Sequence, residues 1–564
     1  MDCLYHNRLQ RQLSTQDLLL SVTVIKKAQV SMNRLLNCIV MYCAFTFSGV
    51  LVAQNNSGDH IRLLQLEAAE NGTAEWGHWG SRPDVYSEWG THSNRLIPVY
   101  THGIPVRRYV GKNSVYRDET RLQEIYGYVP SLTASEDAVY IDQTQIYEMQ
   151  MEAMRHGKKF IFLIVFDGMD RTTADAARAF VNNQSPSVTQ FVGKTNRHSP
   201  SEFEMVTSPA YGKATVDVDA QTVVVDRESK GGFSYELGRR SLRSAQHLEY
   251  LTARFQPLTH AYTDSASSAT SMMAGIKTYN GAINVTASGK SVEPIGITLQ
   301  KAGFRTGIVT SVPFSHATPA ASYATNVSRN DYQDLSRDML GLSSVSRSIP
   351  LPGLDVIIGA GFGVNSEGDD RQGGNFKPGN RYFTNSDMDA LRNGDAYEIV
   401  HRTPGKTGAA MLFTAADNAV KSGRKLFGFF GTTYSHLPFR TADGKFDPVK
   451  GGAASRYDAE AYESEDITEN PSLDEMTMAA IKVLSAEGGP FWLLVEAGDV
   501  DWANHDNNID NSIGAVLSGI EAYQEISSWV TKHRAWRDTA IIVTADHGHL
   551  LVINDFTVFY RRGD

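Results

Sequence analysis

At 564 residues, with 41% hydrophobic and 21% charged, the chain is too long for one minimal core and ordinary in composition for a globular protein. Its formal net charge of −10, without a long Lys/Arg run or a basic stripe, argues against nucleic-acid binding as its main task. An anionic substrate stays open, because bound cations reverse the local sign of a site.

In chain order, the first 53 residues read as targeting. Met32, Asn33 and Arg34 lead into an apolar run over 35–52, which ends near Ala53 ahead of Gln54, Asn55 and Asn56. A short basic start, an apolar run and a small exit residue describe a secretory signal peptide over 32–53. An uncleaved anchor is the competing reading, since the run is about long enough to span a bilayer. Residues 1–31 then read as an over-called N-terminus, with translation starting at Met32. No second apolar run of spanning length follows, so no membrane contact is expected after cleavage. The three cysteines, Cys3, Cys38 and Cys43, all fall in the leader. No disulfide is therefore expected in the mature chain, and any metal site must use His and carboxylates.

Residues 54–155 are polar, Trp/Tyr/Gly-rich and irregular, and read as an N-terminal extension packing on the core. From about 156 onward, apolar runs alternate with helical patterns. Residues 160–166 are continuously apolar, as in a strand buried on both faces of a parallel sheet. Residues 304–309, 356–358, 426–430, 492–495 and 540–543 read the same way. Ser472 and Glu475 form a capping-box pattern ahead of a helix reaching Leu484. Alternating strands and helices predict an α/β three-layer sandwich, with a mainly parallel central sheet and helices on both faces. In such sheets functional residues collect past the carboxyl ends of the strands.

Four features there carry chemistry. Asp167 follows the first apolar run, although an Asp in that place is often only a helix N-cap. Glu496 ends another run, and Asp501 and His505 lie four apart, so a helical turn would present both on one face. Asp546 and His547 sit at a glycine turn after a third run. An isolated Asp-His pair is usually a surface turn, but repeated clusters at strand ends favour a metal site. The fourth feature is Ser265, in a small, hydroxyl-rich, helix-compatible stretch over 263–275. A serine at a helix N-terminus lies at the positive end of the dipole, beside N–H groups that hold anions. No Gly-x-Ser-x-Gly elbow surrounds it, so a metal ion is expected to activate the hydroxyl in place of a triad histidine. Arg329, shortly after His316, Ala317 and Thr318, is the candidate guanidinium for holding phosphoryl oxygens bidentately.

Residues from about 158 to 549 resemble alkaline phosphatase. The resemblance rests on the strand-end Asp167, the Asp264-Ser265-Ala266 triplet, His316 to Ala320 with Arg329, the Glu-x4-Asp-x3-His spacing from Glu496 to His505, and Thr544 to His547, in the family's order. It implies phosphomonoester hydrolysis of broad range through a phosphoserine at Ser265, with Arg329 clamping the phosphoryl group. It further implies one zinc held by Asp167, Asp546 and His547, a second held by Asp501 and His505, and a magnesium held by Asp167, Thr318 and Glu496. His316 stands where some relatives have Asp, and Trp502 where they have Lys, which leaves a third zinc as the alternative to magnesium. Small phosphomonoesters as substrates, a periplasmic or secreted location and a homodimer belong to the same implication.

Two departures bear on activity. The span from about 331 to 470 corresponds to a variable insertion in the family, and His436 within it reads as structural. A further family histidine, downstream of the Asp-His pair, would complete the second zinc site; in 156–564 only His549 follows, at a position beside the site. The expectation is a domain lacking its C-terminal part, with an unpaired sheet edge and a zinc short of the usual three protein ligands. Two readings stay open: an active phosphatase, and a truncated, weak or inactive metal-binding remnant. Among relatives of the wider superfamily, Arg329 disfavours a diesterase, and the absence of Cys-x-Pro-x-Arg near Ser265 disfavours a sulfatase.

Overall fold

The fully apolar runs become the middle of the protein. A computed structural model describes residues 59–183, 201–207, 214–225, 262–455 and 458–560; the readings of 1–53 lie outside these. The strands used below are β1 (Gly77–Trp79), β2 (His92–Ser93), β3 (Ile97–His102), β4 (Phe160–Phe166), β5 (Ser201–Met205), β6 (Arg305–Pro313), β7 (Val356–Ala360), β8 (Tyr397–His401), β9 (Lys425–Phe429), β10 (Phe491–Ala497), β11 (Thr539–Thr544), β12 (Gly548–His549) and β13 (Leu551–Ile553). Nine of them form one sheet in the order β8-β9-β7-β6-β10-β4-β11-β3-β5. From β8 to β11 the neighbours are parallel, whereas β3 and β5 add antiparallel at one edge. In β4 every residue from Ile161 to Phe166 is buried, as a strand covered on both faces requires.

The helices that bear on the site are α1 (Asp59–Asn71), α2 (Gln143–Arg155), α3 (Arg171–Asn182), α4 (Ser265–Ala274), α5 (Ala317–Ala321), α6 (Gly408–Ser422), α7 (Leu473–Leu484), α8 (Asp499–His505) and α9 (Ile509–Lys532). One layer is the row α6, α7, α9, α3, with α1 against α9; the other contains α2, α4 and α5. The expected α/β sandwich is thus the observed architecture. The capping box at Ser472 and Glu475 closes α7 as its pattern predicts. On α9, a Cβ at Gly519 would lie 2.2 Å from Phe166 Cε1, so this glycine lets α9 press against β4 one residue before Asp167.

Three expectations need correction. Residues 54–155 are not merely irregular: they supply α1, α2 and three strands. The span 331–470 is not wholly an insertion, because β7, β8 and β9 of the central sheet lie inside it. The sheet edge beyond β11 is also not left open. There β3 pairs with β11, β2 with β12, and β1 with β13, so the N-terminal segment meets the carboxyl-terminal strands along their length. The turn past β13 continues this contact: Asn554 N donates to Trp76 O at 2.8 Å, and the Phe559 ring packs edge-on against Trp76.

Candidate active site

Adjacent strands β6, β10, β4 and β11 end on one side of the sheet, and each delivers part of a buried polar cluster. Asp167 follows β4, Glu496 lies near the end of β10, and Asp546 and His547 follow β11. Gly168 takes a positive φ of 69°, which turns the chain sharply after Asp167; a Cβ there would also meet Asp501 Oδ1 at 2.8 Å. Beyond β10 the chain enters α8, whose single face presents Asp501 and His505, with Nε2 of the histidine 3.4 Å from Asp501 Oδ2.

Ser265 is the first residue of α4. Asp264 caps that helix, its carboxylate accepting from Ser267 N at 2.9 Å. Buried Ser265 Oγ lies 3.1 Å from His547 Nε2 and 3.3 Å from Asp167 Oδ1. His547 Nε2 is in turn 3.2 Å from Asp167 Oδ1 and 3.6 Å from Asp546 Oδ2. Donor atoms around a tetrahedral zinc at 2.0–2.1 Å stand about 3.3 Å from one another. Asp167 Oδ1, His547 Nε2 and Ser265 Oγ therefore stand pairwise at the spacing of ligands around one ion, and Asp546 groups with the first two. Arg329 is tied to the same helix end, Nη1 lying 3.1 Å from Asp264 Oδ2.

Electrostatics point the same way. Asp167, Glu496, Asp501 and Asp546 are all buried. Burial, followed by the charges of Asp501 and Glu496, holds the Asp167 carboxyl well above the usual range. Burial and then Asp167 push Asp546 up to about 7. Burial raises Glu496 to about 8, against an opposing hydrogen bond from Thr310 and with Asp546 adding to the rise. For Asp501 burial is outweighed by His505 and by hydrogen bonds from His505, His549 and His92, which leaves it well below the usual range. Carboxyls this close and this buried resist ionisation unless cations are supplied. Glu496 Oε1 and Thr318 Oγ1 are both buried, and Thr318 lies beside the Glu496 carboxylate and interacts with it. Two such buried oxygens, with the Glu496 charge acting on Asp167, fit a hard cation that prefers oxygen ligands. The residues present thus fit both zinc and magnesium.

Of the residues expected from sequence, Asp167, Asp546 and His547 form one group with metal-ligand spacing. His316 enters neither such group: its ring stacks on Tyr332 at 5.6 Å and leans on Trp502, and burial followed by Arg329 lowers its pKa to about 3. His436 lies with its Nε2 3.1 Å from Glu460 Oε1.

The sequence model of the alkaline phosphatase family matches residues 217–383 and 420–562, more than half of the chain. The chain belongs to the alkaline phosphatase family. Alkaline phosphatase 4 of Bacillus subtilis is 26% identical over 287 residues, covering 50% of this chain and 49% of its own length. The alkaline phosphatase of Gadus morhua is 28% identical over 319 residues, with 52% and 59% covered. The tissue-nonspecific isozyme of Rattus norvegicus is 25% identical over 358 residues, with 60% and 62% covered. The chain thus spans between about half and three fifths of the length of these alkaline phosphatases.

Two residues of the site, Ser268 and His92, escaped the sequence reading, whereas His549 was placed beside it. Ser268, one turn into α4, donates to Asp546 Oδ2 at 2.9 Å, and its i+3 spacing from Ser265 was the available signal. His549 Nε2 lies 2.7 Å from Asp501 Oδ1. His92, on β2, stands with Asp501, His547 and His549 in the second group with metal-ligand spacing. It lies ahead of both matched stretches, in the segment read as an irregular extension, and only the pairing of β2 with β12 brings it here.

Proposed function

We propose that the protein is a phosphomonoester hydrolase that works through a phosphoserine at Ser265, with two zinc ions and one magnesium. The single observation that carries this reading is Ser265 Oγ between His547 Nε2 and Asp167 Oδ1, at the N-terminus of a buried helix. Asp167, Asp546 and His547 would hold one zinc, Asp501 and His505 the other, and Asp167, Thr318 and Glu496 a magnesium or a third zinc. Bound there, the cations would lower the hydroxyl pKa of Ser265 and neutralise charge on the oxygens of the ester.

The protein's own groups then do the following. Ser265 Oγ attacks phosphorus, forming the Oγ–P bond while the bond to the leaving alcohol breaks. The first-turn N–H groups of α4 face the anion. Arg329 offers two parallel N–H donors to the non-bridging oxygens, and Asp264 aims it. Water then displaces the serine, releasing phosphate. Three remaining oxygens on phosphorus suit this arrangement; a second ester substituent would displace an Arg329 contact.

No helix among the described residues is long and apolar enough to cross a membrane. A periplasmic or secreted location, small phosphomonoesters as substrates and a homodimer extend the same reading; the leader pattern at 32–53 supports the first. The test is hydrolysis of a chromogenic phosphomonoester by the full chain, with zinc and magnesium, before and after chelation. Turnover that chelation abolishes and metal restores is expected. No turnover with both metals present would leave the inactive-remnant reading in its place.

A further inference from the structure

We infer that His92 is a protein ligand of the ion at Asp501 and His505, so that this metal fastens the N-terminal segment to the carboxyl-terminal half. The inference rests on the proposed metal-dependent reading but concerns a residue outside the stretches matched by the family. His92 Nε2 lies 3.2 Å from His505 Nε2 and 3.6 Å from Asp501 Oδ1, and His505 Nε2 lies 3.4 Å from Asp501 Oδ2. The two ring nitrogens stand close to the roughly 3.3 Å expected between ligands of a tetrahedral zinc, and each lies near that distance from one of the two oxygens of the Asp501 carboxylate. Two imidazoles and one carboxylate also make up the three protein ligands usual for a catalytic zinc.

The surroundings orient these donors. His505 Nδ1 bonds Gly90 O at 2.8 Å, which leaves Nε2 as the free nitrogen facing His92. Gly90 precedes His92 by two residues, so the same segment supplies both the ligand and the carbonyl that aims its partner. His549 Nε2 bonds Asp501 Oδ1 at 2.7 Å and fixes the carboxylate. On the protein side β2 holds the ring in place through its antiparallel pairing with β12, His92 opposite His549.

An ion shared between His92 and the α8 residues links metal binding to the docking of β1 and β2. The test compares the full wild-type chain with His92→Ala, His92→Cys and, as a control on an exposed histidine, His156→Ala. Zinc content and affinity are measured by titration after dialysis, and amide exchange is followed at 77–79 and 92–93 with and without chelator. His92→Ala is expected to lose one zinc equivalent or to weaken it by more than about 100-fold, exceeding the loss typical of an outer partner of a ligand. His92→Cys keeps a zinc donor and should recover the ion, and His156→Ala should match wild type. Chelation should speed exchange at 92–93 in wild type and leave His92→Ala unchanged. Wild-type zinc stoichiometry and affinity in His92→Ala would overturn the inference and leave only an imidazole–imidazole hydrogen bond. If that happens while wild type hydrolyses phosphomonoesters, only this inference falls. If His92→Ala loses zinc but wild type never turns over, the phosphatase reading falls and the ligand stands.

Discussion

In the proposed site Asp167 would face two cations at once, a task that needs a carboxylate. It is buried, with its Oδ1 3.3 Å from Ser265 Oγ and 3.2 Å from His547 Nε2, and the charge of Asp501 acts on it. The same crowding has a pH consequence. With no cation bound, Asp546 and Glu496 keep their protons up to about 7 and about 8 in the folded chain, whereas an unfolded chain loses them near 4. Raised folded-state values favour the folded form at low pH, and that contribution fades as pH rises through 7 to 8. His505, raised to about 9 by Asp501 against the opposing effect of burial, acts in the same direction. The chelated protein should therefore melt at a lower temperature at pH 8.5 than at pH 6, and added zinc should remove most of that difference. A chelated protein whose melting temperature rises over this interval would contradict the electrostatic account. Apparent zinc affinity should rise over the same interval, because binding displaces those protons.

Among the elements, the strands and the helix caps were legible in sequence, and the pairings were not. The run at 160–166 became β4 without change, because an unbroken apolar stretch has few alternatives to a doubly covered strand. Ser265, Asp501 and His505 were legible because local rules place them: a helix start for one, and one turn of helix for the other two. His92 was not, since nothing within a few residues of it differs from a loop histidine. Its role follows from β2 meeting β12, a pairing across more than 400 residues that no local pattern encodes. In 331–470 the runs at 356–358 and 426–430 were legible as strands, but β8 was not, and that both runs join the central sheet follows from their pairings rather than from any local pattern. Where α9 crosses β4, tight packing sets the position of Asp167. Gly519→Ala should cost about 1–3 kcal/mol through overpacking against Phe166, read as a lower melting temperature, together with weaker zinc binding. A variant as stable as wild type would show that this contact has room to relax.

For the whole molecule, the N-terminal segment belongs to the same body as the candidate site. It covers the sheet edge beyond β11 through β3, and it pairs with the last two strands through β1 and β2. Its helix α2 reaches the site as well, Gln143 Nε2 donating to Asp546 O at 3.0 Å while buried Lys277 Nζ holds Gln143 Oε1 at 2.8 Å. A chain that spans about half to three fifths of its relatives' length thus builds both groups with metal-ligand spacing by bringing residues of its N-terminal third against residues of its last 65 positions. That arrangement is what a metal-dependent serine phosphatase needs. The most direct check is to incubate the zinc- and magnesium-loaded chain with a phosphomonoester, quench it in acid, and locate any phosphoryl group by peptide mass analysis. The account predicts a phosphoryl group on Ser265 in wild type, and neither adduct nor turnover in Ser265→Ala. Undiminished hydrolysis by Ser265→Ala, or a phosphoryl group on another residue, would contradict it.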